Sequence, residues 1–268
     1  QMLGYRTETL HRLPPEDRFE PARGSGEVAP WSALELSEVE GMLEADPSGT
    51  LRRYLSEKEI PRFEGLKTPK RRLEWLAGRI VAKRLIREER FAREGAIVPY
   101  GAITILPDDL GAPQVRVAGE ASEPLRVSIS HSAEVAMAFQ SLEKNQRPGI
   151  DVEQIESRDA SFERDYFSEA ELEQVRRASN KDALLTAFWA IKEAYLKGLG
   201  IGARIDFREL EVVEEAGRWS VTQRGEAREE ALKRCAGEPT IEVEMEHDRV
   251  IARVLLPLNE ASATGASF

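Results

Sequence analysis

Two acidic residues stand two positions apart in the segment Gly149–Glu153, whose sequence is Gly-Ile-Asp-Val-Glu. On a strand, Asp151 and Glu153 would share one face, because successive side chains alternate between the two faces. Neighbouring carboxylates repel each other, and Mg²⁺ relieves this by binding one or two of them together with waters and phosphate oxygens. A half-exposed strand of alternating acidic and aliphatic residues has the same pattern, so the segment alone leaves both interpretations open.

A second charged pair lies in a helix predicted over residues 181–197, which is mostly apolar from residue 183 onward. Nine uncharged residues precede Lys192, so the helix is expected to be buried on nearly all sides. Glu193 and Lys197 are four residues apart and therefore share one face. Charges on a buried helix need an ionic partner, a metal or a cleft, although an ordinary Glu–Lys helix pair fits the spacing as well.

A histidine lies in the segment Val127–Ser132, where the strand predicted over residues 125–129 ends. His131 is one of only three histidines in the chain, and serines flank it on both sides. Next to a phosphate group, its side chain would serve as a cation or as a hydrogen-bond donor. A structural histidine with satisfied hydrogen bonds is the alternative.

The elements that position these residues form two halves, each with a helix-rich stretch and a strand-rich stretch. We predict an extended lead-in at residues 1–30, an N-terminal half at 31–147, a C-terminal half at 148–258 and a flexible tail at 259–268. The length of 268 residues suits one large or two small domains. Short antiparallel strands with helices packed on them make the predicted fold class α+β.

Local signals place the main elements of both halves. Thr68-Pro69 predicts a helix start, because a capping hydroxyl precedes a proline at the first helical position. Ser168 and Glu171 have the spacing of a capping box and predict another helix start. Strands are predicted at residues 103–106, 125–129, 135–139, 210–213, 219–222, 240–245 and 250–255.

Composition argues against several classes of protein. The net charge of −10 is unsuited to a general nucleic-acid binder, and no apolar run approaches the roughly 20 residues of a membrane span. A single cysteine, Cys235, leaves no internal disulfide, which fits a reducing cytoplasm. Charge is uneven, however, since Leu51–Gly95 contains 14 Lys or Arg against 7 Glu. This basic island predicts a localised anion site or, alternatively, the solvated face of an amphipathic helix.

Taken together and in this order, three segments resemble the motifs of 4′-phosphopantetheinyl transferases of the surfactin-synthetase-activating (Sfp) type. The serine-histidine step is Ser130-His131, the Gly-x-Asp-x-Glu strand is Gly149–Glu153, and the Trp-x-x-Lys-Glu-x-x-x-Lys helix is Trp189–Lys197. About 20 residues separate the first motif from the second, and about 40 separate the second from the third. One motif could match by chance, but three in the family's order and spacing are specific, over roughly residues 51–255.

The resemblance implies a pseudo-twofold α+β fold, in which coenzyme A and Mg²⁺ lie between two similar α/β subdomains. It also implies an enzyme that transfers the 4′-phosphopantetheine moiety of coenzyme A to a serine of an acyl or peptidyl carrier protein, releasing 3′,5′-ADP. Asp151, Glu153 and Glu193 would hold the metal. Lys192 and Lys197 would approach the same phosphates.

The other site residues implied by the resemblance lie in the N-terminal half. Ser130 and His131 would contact the nucleotide phosphates, and Arg71 and Arg79 occupy positions that resemble the family's arginine-rich helix. Arg62 would be a further contact to the 3′-phosphate. The implied catalytic residues are Glu193, Lys197, Lys192 and His131, and the implied coenzyme A contacts are Arg62, Arg71, Arg79, Ser130, His131, Gly111, Pro113 and Lys197.

One departure from the family concerns the turn Gly111-Ala112-Pro113, where members often have Gly-Lys-Pro. The turn is kept, but the lysine that would reach a phosphate is absent. We expect cations of the basic island to substitute for it, and weaker binding of coenzyme A is the alternative. The candidate substitutes are Lys67, Lys70, Arg71 and Arg72.

In the implied reaction, the carrier-protein serine attacks the β-phosphorus of coenzyme A. Its proton passes to Glu193 or to a metal-bound water, and the sequence leaves both bases open. Two other functions stay open as alternatives. One is a different magnesium-dependent phosphotransferase, and the other is a non-catalytic transferase-like domain of a megasynthase.

The expected partner is a carrier protein, either freestanding or a domain of a polyketide, fatty-acid or nonribosomal synthase. Phe162–Phe167 is a candidate docking segment because its aromatic residues lie close together, and an aromatic core cluster beneath the following helix is the alternative. We expect a cytoplasmic monomer with neither a nucleic-acid nor a membrane partner.

Overall fold

The structure, a computed structural model, describes residues 31–95, 97–121, 126–132, 134–141, 143–202, 204–246 and 248–260. The predicted lead-in at residues 1–30 lies outside the described residues, as does residue 261 onward of the predicted tail. Within the described ranges, no helix has both the length and the apolar character needed to cross a bilayer.

Helices and strands occur in groups along the chain and not in strict alternation. The helices are α1 (Leu36–Ala45), α2 (Pro47–Tyr54), α3 (Ile60–Glu64), α4 (Pro69–Glu94), α5 (Ala160–Tyr166), α6 (Glu169–Arg177), α7 (Lys181–Leu199) and α8 (Gly225–Arg234). The strands are β1 (Trp31–Glu35), β2 (Ile103–Pro107), β3 (Pro113–Val117), β4 (Glu120–Ala121), β5 (Arg126–Ser132), β6 (Val135–Ser141), β7 (Gln146–Gln154), β8 (Leu210–Glu215), β9 (Arg218–Gln223), β10 (Thr240–Met245) and β11 (Arg249–Pro257). The division predicted between residues 147 and 148 falls within β7.

Each half contains a three-stranded antiparallel sheet with the last strand of that half at its centre. The order is β1-β6-β5 in the N-terminal half and β7-β11-β10 in the C-terminal half. In both sheets, the first and the next-to-last strands of the half therefore flank the last strand. Each half also has a smaller antiparallel sheet, which is β2-β3-β4 in the N-terminal half and β8-β9 in the C-terminal half. It precedes the last two strands of the half in the chain. This arrangement of helices and antiparallel strands confirms the predicted α+β class.

One long helix packs on each three-stranded sheet. The Thr68 hydroxyl accepts a hydrogen bond from the Arg71 N–H and Pro69 occupies the first turn, so α4 begins where the sequence predicts. Helix α4 is followed by Gly95 and α7 by Gly200, with φ angles of 66° and 69°. Glycine suits these left-handed caps because it has no Cβ to clash.

Helix α7 is buried on nearly all sides, as predicted, and it lies directly against β7. Gly149 permits this close approach, because a Cβ at that position would lie 1.8 Å from the carbonyl oxygen of Ala194. The residues that follow Gly149 on β7 are thereby brought within reach of α7 side chains. Lys197 contacts Asp151 in this way.

A buried ion pair links α4 to the preceding loop in the N-terminal half. The Lys83 ammonium donates to the carboxylate of Glu59 and to the carbonyl oxygens of Tyr54 and Tyr100. The same carboxylate accepts from the backbone N–H and the hydroxyl of Ser56. Lys83 and Glu59 are both fully buried, so the paired charges and the surrounding acceptors replace the water that each lost.

The C-terminal half repeats this arrangement around α7. The Lys192 ammonium donates to Glu171 at 2.8 Å and to the carbonyl oxygens of Tyr166 and Phe207. Glu171 also accepts from the backbone N–H of Ser168, which completes the predicted capping box. Lys192 and Glu171 are fully buried as well.

The two networks also match at the second carboxylate oxygen, although the serine hydroxyls differ: that of Ser56 donates to the Glu59 carboxylate, and that of Ser168 accepts from the N–H of Glu171. The second carboxylate oxygen of Glu59 accepts from the N–H of Ile105, and that of Glu171 accepts from the N–H of Val212. The halves therefore repeat each other in sheet order, long helix and buried ion pair. The repeat also corrects one expectation: Lys192 does not approach the cleft, because its ammonium is enclosed by core acceptors.

The two halves meet along β5 and β7. The Ser128 hydroxyl accepts a hydrogen bond from the N–H of Ile150, and the Ser130 hydroxyl accepts one from the N–H of Val152. These serines take the place of a backbone ladder between the strands. A separate apolar core, formed by residues of β6, β7 and β11, fills the space between the sheets. The junction therefore places the end of β5 beside Asp151.

Candidate functional site

A cleft of about 340 Å³ opens between the two halves. The N-terminal half contributes Arg79 and His131 to its lining, and the C-terminal half contributes Lys197. Gly111 and Pro113, in the turn between β2 and β3, line it as well. Five of the residues predicted to contact coenzyme A therefore share one cavity. The basic side chains of Arg79, His131 and Lys197 around a single cleft favour an anionic ligand.

Asp151 lies beside this cleft. One of its carboxylate oxygens accepts hydrogen bonds, and the other has no hydrogen-bond partner. Its Oδ1 atom accepts from the Ser130 hydroxyl at 2.8 Å and from the Lys197 ammonium at 2.6 Å. Its Oδ2 atom is buried and has no hydrogen-bond partner. A buried carboxylate oxygen without a partner is costly, so this atom is a candidate ligand for a cation.

The Ser130 hydroxyl is committed to Asp151. It donates to that carboxylate and accepts from the Val152 N–H and from Lys197. The side chain is only 5% exposed. This corrects the expectation that Ser130 contacts the nucleotide phosphates, since its lone pairs and its proton already have partners inside the protein.

Glu153 is held at both carboxylate oxygens. The Trp189 indole donates to Oε1 at 3.2 Å, and the Arg158 guanidinium donates to Oε2 at 3.4 Å. Trp189 belongs to α7, whereas Arg158 lies in the loop that follows β7. Two separate elements therefore fix the second acidic side chain of the strand.

Trp189, Glu193 and Lys197 form one stripe along α7, because residues four apart lie on the same face of a helix. The stripe contacts β7 at both ends, where Trp189 meets Glu153 and Lys197 meets Asp151. Glu193 lies midway, about 6 Å of helical rise from either end. The charge of Asp151 acts on the pKa of Glu193, so these two carboxylates lie within electrostatic range of each other. That Glu193 shares one metal with Asp151 and Glu153 stays a prediction.

The pKa values of two of these carboxyls are shifted upward. Burial raises the pKa of Glu153 to about 7, and the negative charge of Asp151 adds to the effect. Burial also raises the pKa of Glu193, where Lys197 opposes the shift and Asp151 adds to it. Both pKa values rise because negative charge is unfavourable in a poorly solvated site that already contains another carboxylate. A bound cation would neutralise that charge and oppose the shift.

The three carboxylates do not form a ready-made metal cage in the part of the chain that the structure describes. Lys197 and Arg158 instead lie against Asp151 and Glu153. The donor set nevertheless fits Mg²⁺, which binds one or two carboxylates and takes its other ligands from water and substrate phosphates. The unpartnered Oδ2 of Asp151 is the atom best placed for this role.

His131 projects into the cleft from the end of β5 and is 44% exposed. Its Nδ1 atom lies 3.8 Å from a carboxylate oxygen of Glu74, on α4. Burial lowers the pKa of His131, while Glu74 opposes the shift and Lys197 adds to it. A lowered pKa favours the neutral imidazole, so His131 suits a hydrogen-bond donor better than a permanent cation.

The three predicted arginines differ in their placement. Arg79 lines the cleft, where its guanidinium donates to the carbonyl oxygen of Ile105 at 3.0 Å and lies over the Trp75 ring. Arg62 and Arg71 are exposed and lie outside the cleft lining. Contacts from these two residues to coenzyme A stay a prediction.

The turn that lacks the family's lysine is part of the cleft wall, which includes Ala112. Among the cations expected to substitute, Lys70 lies 3.8 Å from Glu74. Arg72 donates to the carbonyl oxygens of Glu64 and Leu66, on the side of α3. None of the four expected substitutes lines the cleft, so their contribution stays a prediction.

The segment Phe162–Phe167 packs into the protein. The ring of Phe162 lies 5.1 Å from that of Trp189, and the ring of Tyr166 lies 5.0 Å from it. Both belong to the layer around the C-terminal core. The segment is therefore part of an aromatic core cluster, which was the alternative to a docking role. The sequence did not reveal that this cluster surrounds the Trp189 indole.

Two site residues were missed in the sequence. Arg158 lies in an irregular loop, where no periodicity signals the direction of a side chain. Glu74, which lines the cleft next to His131, resembles any other acidic residue of an amphipathic helix. The carboxylates of Asp151, Glu153 and Glu193 are called the acidic group. The i, i+4 relation of Trp189 to Glu193 was the one available signal that the indole faces this group.

Comparison with known proteins identifies similar sequences. A family model described as the 4′-phosphopantetheinyl transferase superfamily matches residues 147–253. The holo-(acyl-carrier-protein) synthase of Listeria monocytogenes is 33% identical over 105 residues, which are 39% of this chain and 87% of the relative. The corresponding protein of Streptococcus agalactiae is 34% identical over 117 residues, which are 41% of this chain and 93% of the relative.

A solved structure is similar over the same share of the chain. It is a holo-(acyl-carrier-protein) synthase from Bacillus anthracis in complex with CoA, 30% identical in sequence. The match covers 41% of this chain and 93% of that chain, with a TM-score of 0.33.

Proposed function

Because the chain belongs to the 4′-phosphopantetheinyl transferase superfamily, we propose that it transfers the phosphopantetheine arm of coenzyme A to a carrier-protein serine. The proposal is carried by one observation, the convergence of Asp151, Glu153 and the α7 stripe beside an interdomain cleft. The carboxylates beside the cleft could hold a cation, and the basic side chains that line the cleft could bind phosphates. These are the two requirements of phosphoryl transfer.

We further propose that the chain is of the two-half, surfactin-synthetase-activating type. The relatives align with only about two fifths of it, and the family model matches residues 147–253. Residues 31–141 nevertheless repeat the sheet order and the buried Glu–Lys pair of that region. One chain would then supply both walls of the cleft, which supports a monomer.

The reaction transfers a phosphoryl group between two oxygens. The carrier serine oxygen forms a bond to the β-phosphorus of coenzyme A, while the bond from that phosphorus to the bridging pyrophosphate oxygen breaks. The products are the phosphopantetheinylated carrier protein and 3′,5′-ADP. Positioning and neutralisation of charge account for most of the catalysis in such transfers.

Asp151, Glu153 and Glu193 would hold Mg²⁺ beside the pyrophosphate. When bound, the ion would neutralise negative charge on the phosphate oxygens. Lys197 lies at the junction of the acidic group and the cleft. We propose that its ammonium stabilises the charge that develops on the leaving 3′,5′-ADP.

Glu193 is the proposed acceptor of the serine proton. No described residue donates a hydrogen bond to its carboxylate, in contrast to Asp151 and Glu153. Its pKa is raised by burial, which strengthens it as a base. A carboxylate has two oxygens, so one can bind the cation while the other receives the proton.

The acceptor is proposed to be an acyl or peptidyl carrier protein in the cytoplasm, where the single Cys235 would remain reduced. Mass spectrometry of a panel of apo-carrier proteins, after incubation with coenzyme A and Mg²⁺, tests the reaction class. We expect at least one to gain the mass of one phosphopantetheine group. No gain on any member, under conditions in which a reference transferase modifies the panel, would contradict the proposal.

A further inference from the structure

The acidic pair on β7 is asymmetric in how it is held. Asp151 receives its hydrogen bonds from Ser130 and Lys197, at the cleft. Glu153 receives its hydrogen bonds from Trp189 and Arg158, which do not line the cleft. The donors to Glu153 therefore act on the site through that carboxylate.

The Trp189 indole is fixed by aromatic rings on several sides. It stacks on Phe207 with the ring centroids 4.8 Å apart. Phe162 and Tyr166 meet it edge-on, at 5.1 Å and 5.0 Å. Aromatic contacts of this geometry hold a ring in one orientation. The cluster thus aims the indole N–H at Glu153.

Arg158 also has contacts that fix its direction. One guanidinium nitrogen lies 2.8 Å from Glu156, and another reaches Glu153. The guanidinium also lies over the ring of Phe162, 5.0 Å from its centroid. Phe162 therefore supports both donors to Glu153, the indole directly and the guanidinium through its ring face.

A glutamate in this position needs such support. Its side chain is long and has many rotamers to lose on ordering, and the nearby charge of Asp151 repels it. Without directed donors, the carboxylate would turn away from Asp151 toward water. Donors from two rigid elements remove that freedom, and each oxygen keeps a lone pair for a further ligand.

We propose that Trp189 and Arg158 are positioning residues, which fix the Glu153 carboxylate beside Asp151 so that β7 presents both carboxylates to one divalent cation. This inference rests on the proposed function, since it requires a cation at the acidic group. It also gives the aromatic cluster around Trp189 a purpose beyond packing. Outer-shell partners of metal ligands commonly change metal affinity by about 10- to 100-fold when they are replaced.

The test is a titration of the full chain with Mn²⁺ alone, followed by the loss of the free-ion paramagnetic resonance signal. Trp189→Phe keeps a ring in the aromatic cluster and removes only the donor. Trp219→Phe is the matched control, because that ring packs on Phe188 away from the acidic group. We expect Trp189→Phe to bind Mn²⁺ about tenfold more weakly than the wild type, and Trp219→Phe to bind as the wild type does.

A second pair of variants tests the other donor. Arg158→Gln should weaken Mn²⁺ binding about tenfold, Arg158→Lys should restore part of the loss, and the exposed Arg164→Gln should change nothing. Melting temperatures of the Arg158 variants near that of Arg164→Gln would separate positioning from general destabilisation. These variants also keep the test decisive if Trp189→Phe fails to fold.

The outcomes separate this inference from the proposed function. Mn²⁺ binding by the wild type that Asp151→Asn abolishes would support the metal site. If, in that case, both Trp189→Phe and Arg158→Gln bind Mn²⁺ with wild-type affinity, the positioning role is wrong and the proposed function stands. Absence of Mn²⁺ binding by the wild type would contradict the metal site and this inference with it.

Discussion

The Lys197 ammonium lies 2.6 Å from Oδ1 of Asp151 and joins the end of α7 to the middle of β7. Lys197 also lines the cleft, whereas the Asp151 side chain is almost fully buried. The ion pair is therefore the point at which the acidic group meets the space for a ligand. A phosphate in the cleft would meet a cation first, with the carboxylates directly behind it.

Replacing Glu193 tests the assignment of the base. Glu193→Gln keeps the shape of the side chain but removes the proton acceptor. Because general-base catalysis typically contributes about 10²- to 10⁴-fold, we expect the turnover rate to fall by a factor in that range. The measurement is the rate of holo-carrier formation at saturating coenzyme A. A rate within twofold of the wild type would rule out Glu193 as the base.

The pH dependence of stability follows from Glu153. Burial and the charge of Asp151 raise its pKa from 4.5 to about 7, so between these values the folded chain holds a proton that the unfolded chain has released. The contribution of Glu153 to the free energy of unfolding is thus fully present below pH 4.5 and is lost as the pH rises through about 7. Thermal melts across this range should show the decline.

Two comparisons give this pH prediction its control. Glu153→Gln should lack the part of the decline that Glu153 causes, because the amide does not titrate. Added Mg²⁺ should flatten the decline in the wild type, since the ion binds the ionised carboxylates of the folded chain. If the melting temperature of the wild type rises from pH 5 to 7 and does not change with Mg²⁺, the raised pKa of Glu153 and its assignment to burial and the charge of Asp151 are contradicted.

Lys192 is predicted to act on stability and not on the chemistry of transfer. Breaking a buried ion pair by removing one partner typically costs about 3–5 kcal/mol, so Lys192→Met should lower the free energy of unfolding by that order. The matched change Lys83→Met should cost a similar amount, because its network is equivalent. Denaturant unfolding measures both. A Lys192→Met variant of normal stability that no longer transfers phosphopantetheine would restore the phosphate role implied by the resemblance.

His131 is predicted to contribute to binding more than to turnover. A hydrogen bond from its imidazole to a phosphate is a bond to a charged group, and its loss in His131→Ala should weaken coenzyme A binding by about tenfold. Calorimetry measures the affinity, and the rate at saturating coenzyme A should change less. Unchanged affinity would remove His131 from the ligand site.

Much of the fold could be predicted because its signals are local. Thr68, Pro69 and the Ser168–Glu171 capping box each mark a helix start within a few residues, and the structure has helices at both. The acidic pair on β7 was predictable for the same reason, since alternation along a strand needs no knowledge of distant partners.

The remainder depends on contacts between residues far apart in the chain. Lys192 and Lys197 lie on the same helix, about 140° apart around its axis. Because α7 is buried on nearly all sides, its sequence does not reveal which of the two faces the cleft. Glu171, which pairs with Lys192, is 21 positions away. The resemblance likewise assigned Ser130 to a ligand, and the sequence did not reveal its partner, because Asp151 lies across the junction of the two halves.

The acidic group around Asp151 is proposed to serve phosphopantetheine transfer. The most direct measurement compares wild type and Asp151→Asn by mass spectrometry of an apo-carrier protein that the wild type modifies, with coenzyme A and Mg²⁺ in excess. We predict that the folded variant shows transfer reduced by about 100-fold or more, since metal-assisted charge stabilisation supplies several kcal/mol. Holo-carrier formation by Asp151→Asn at the wild-type rate would contradict this role.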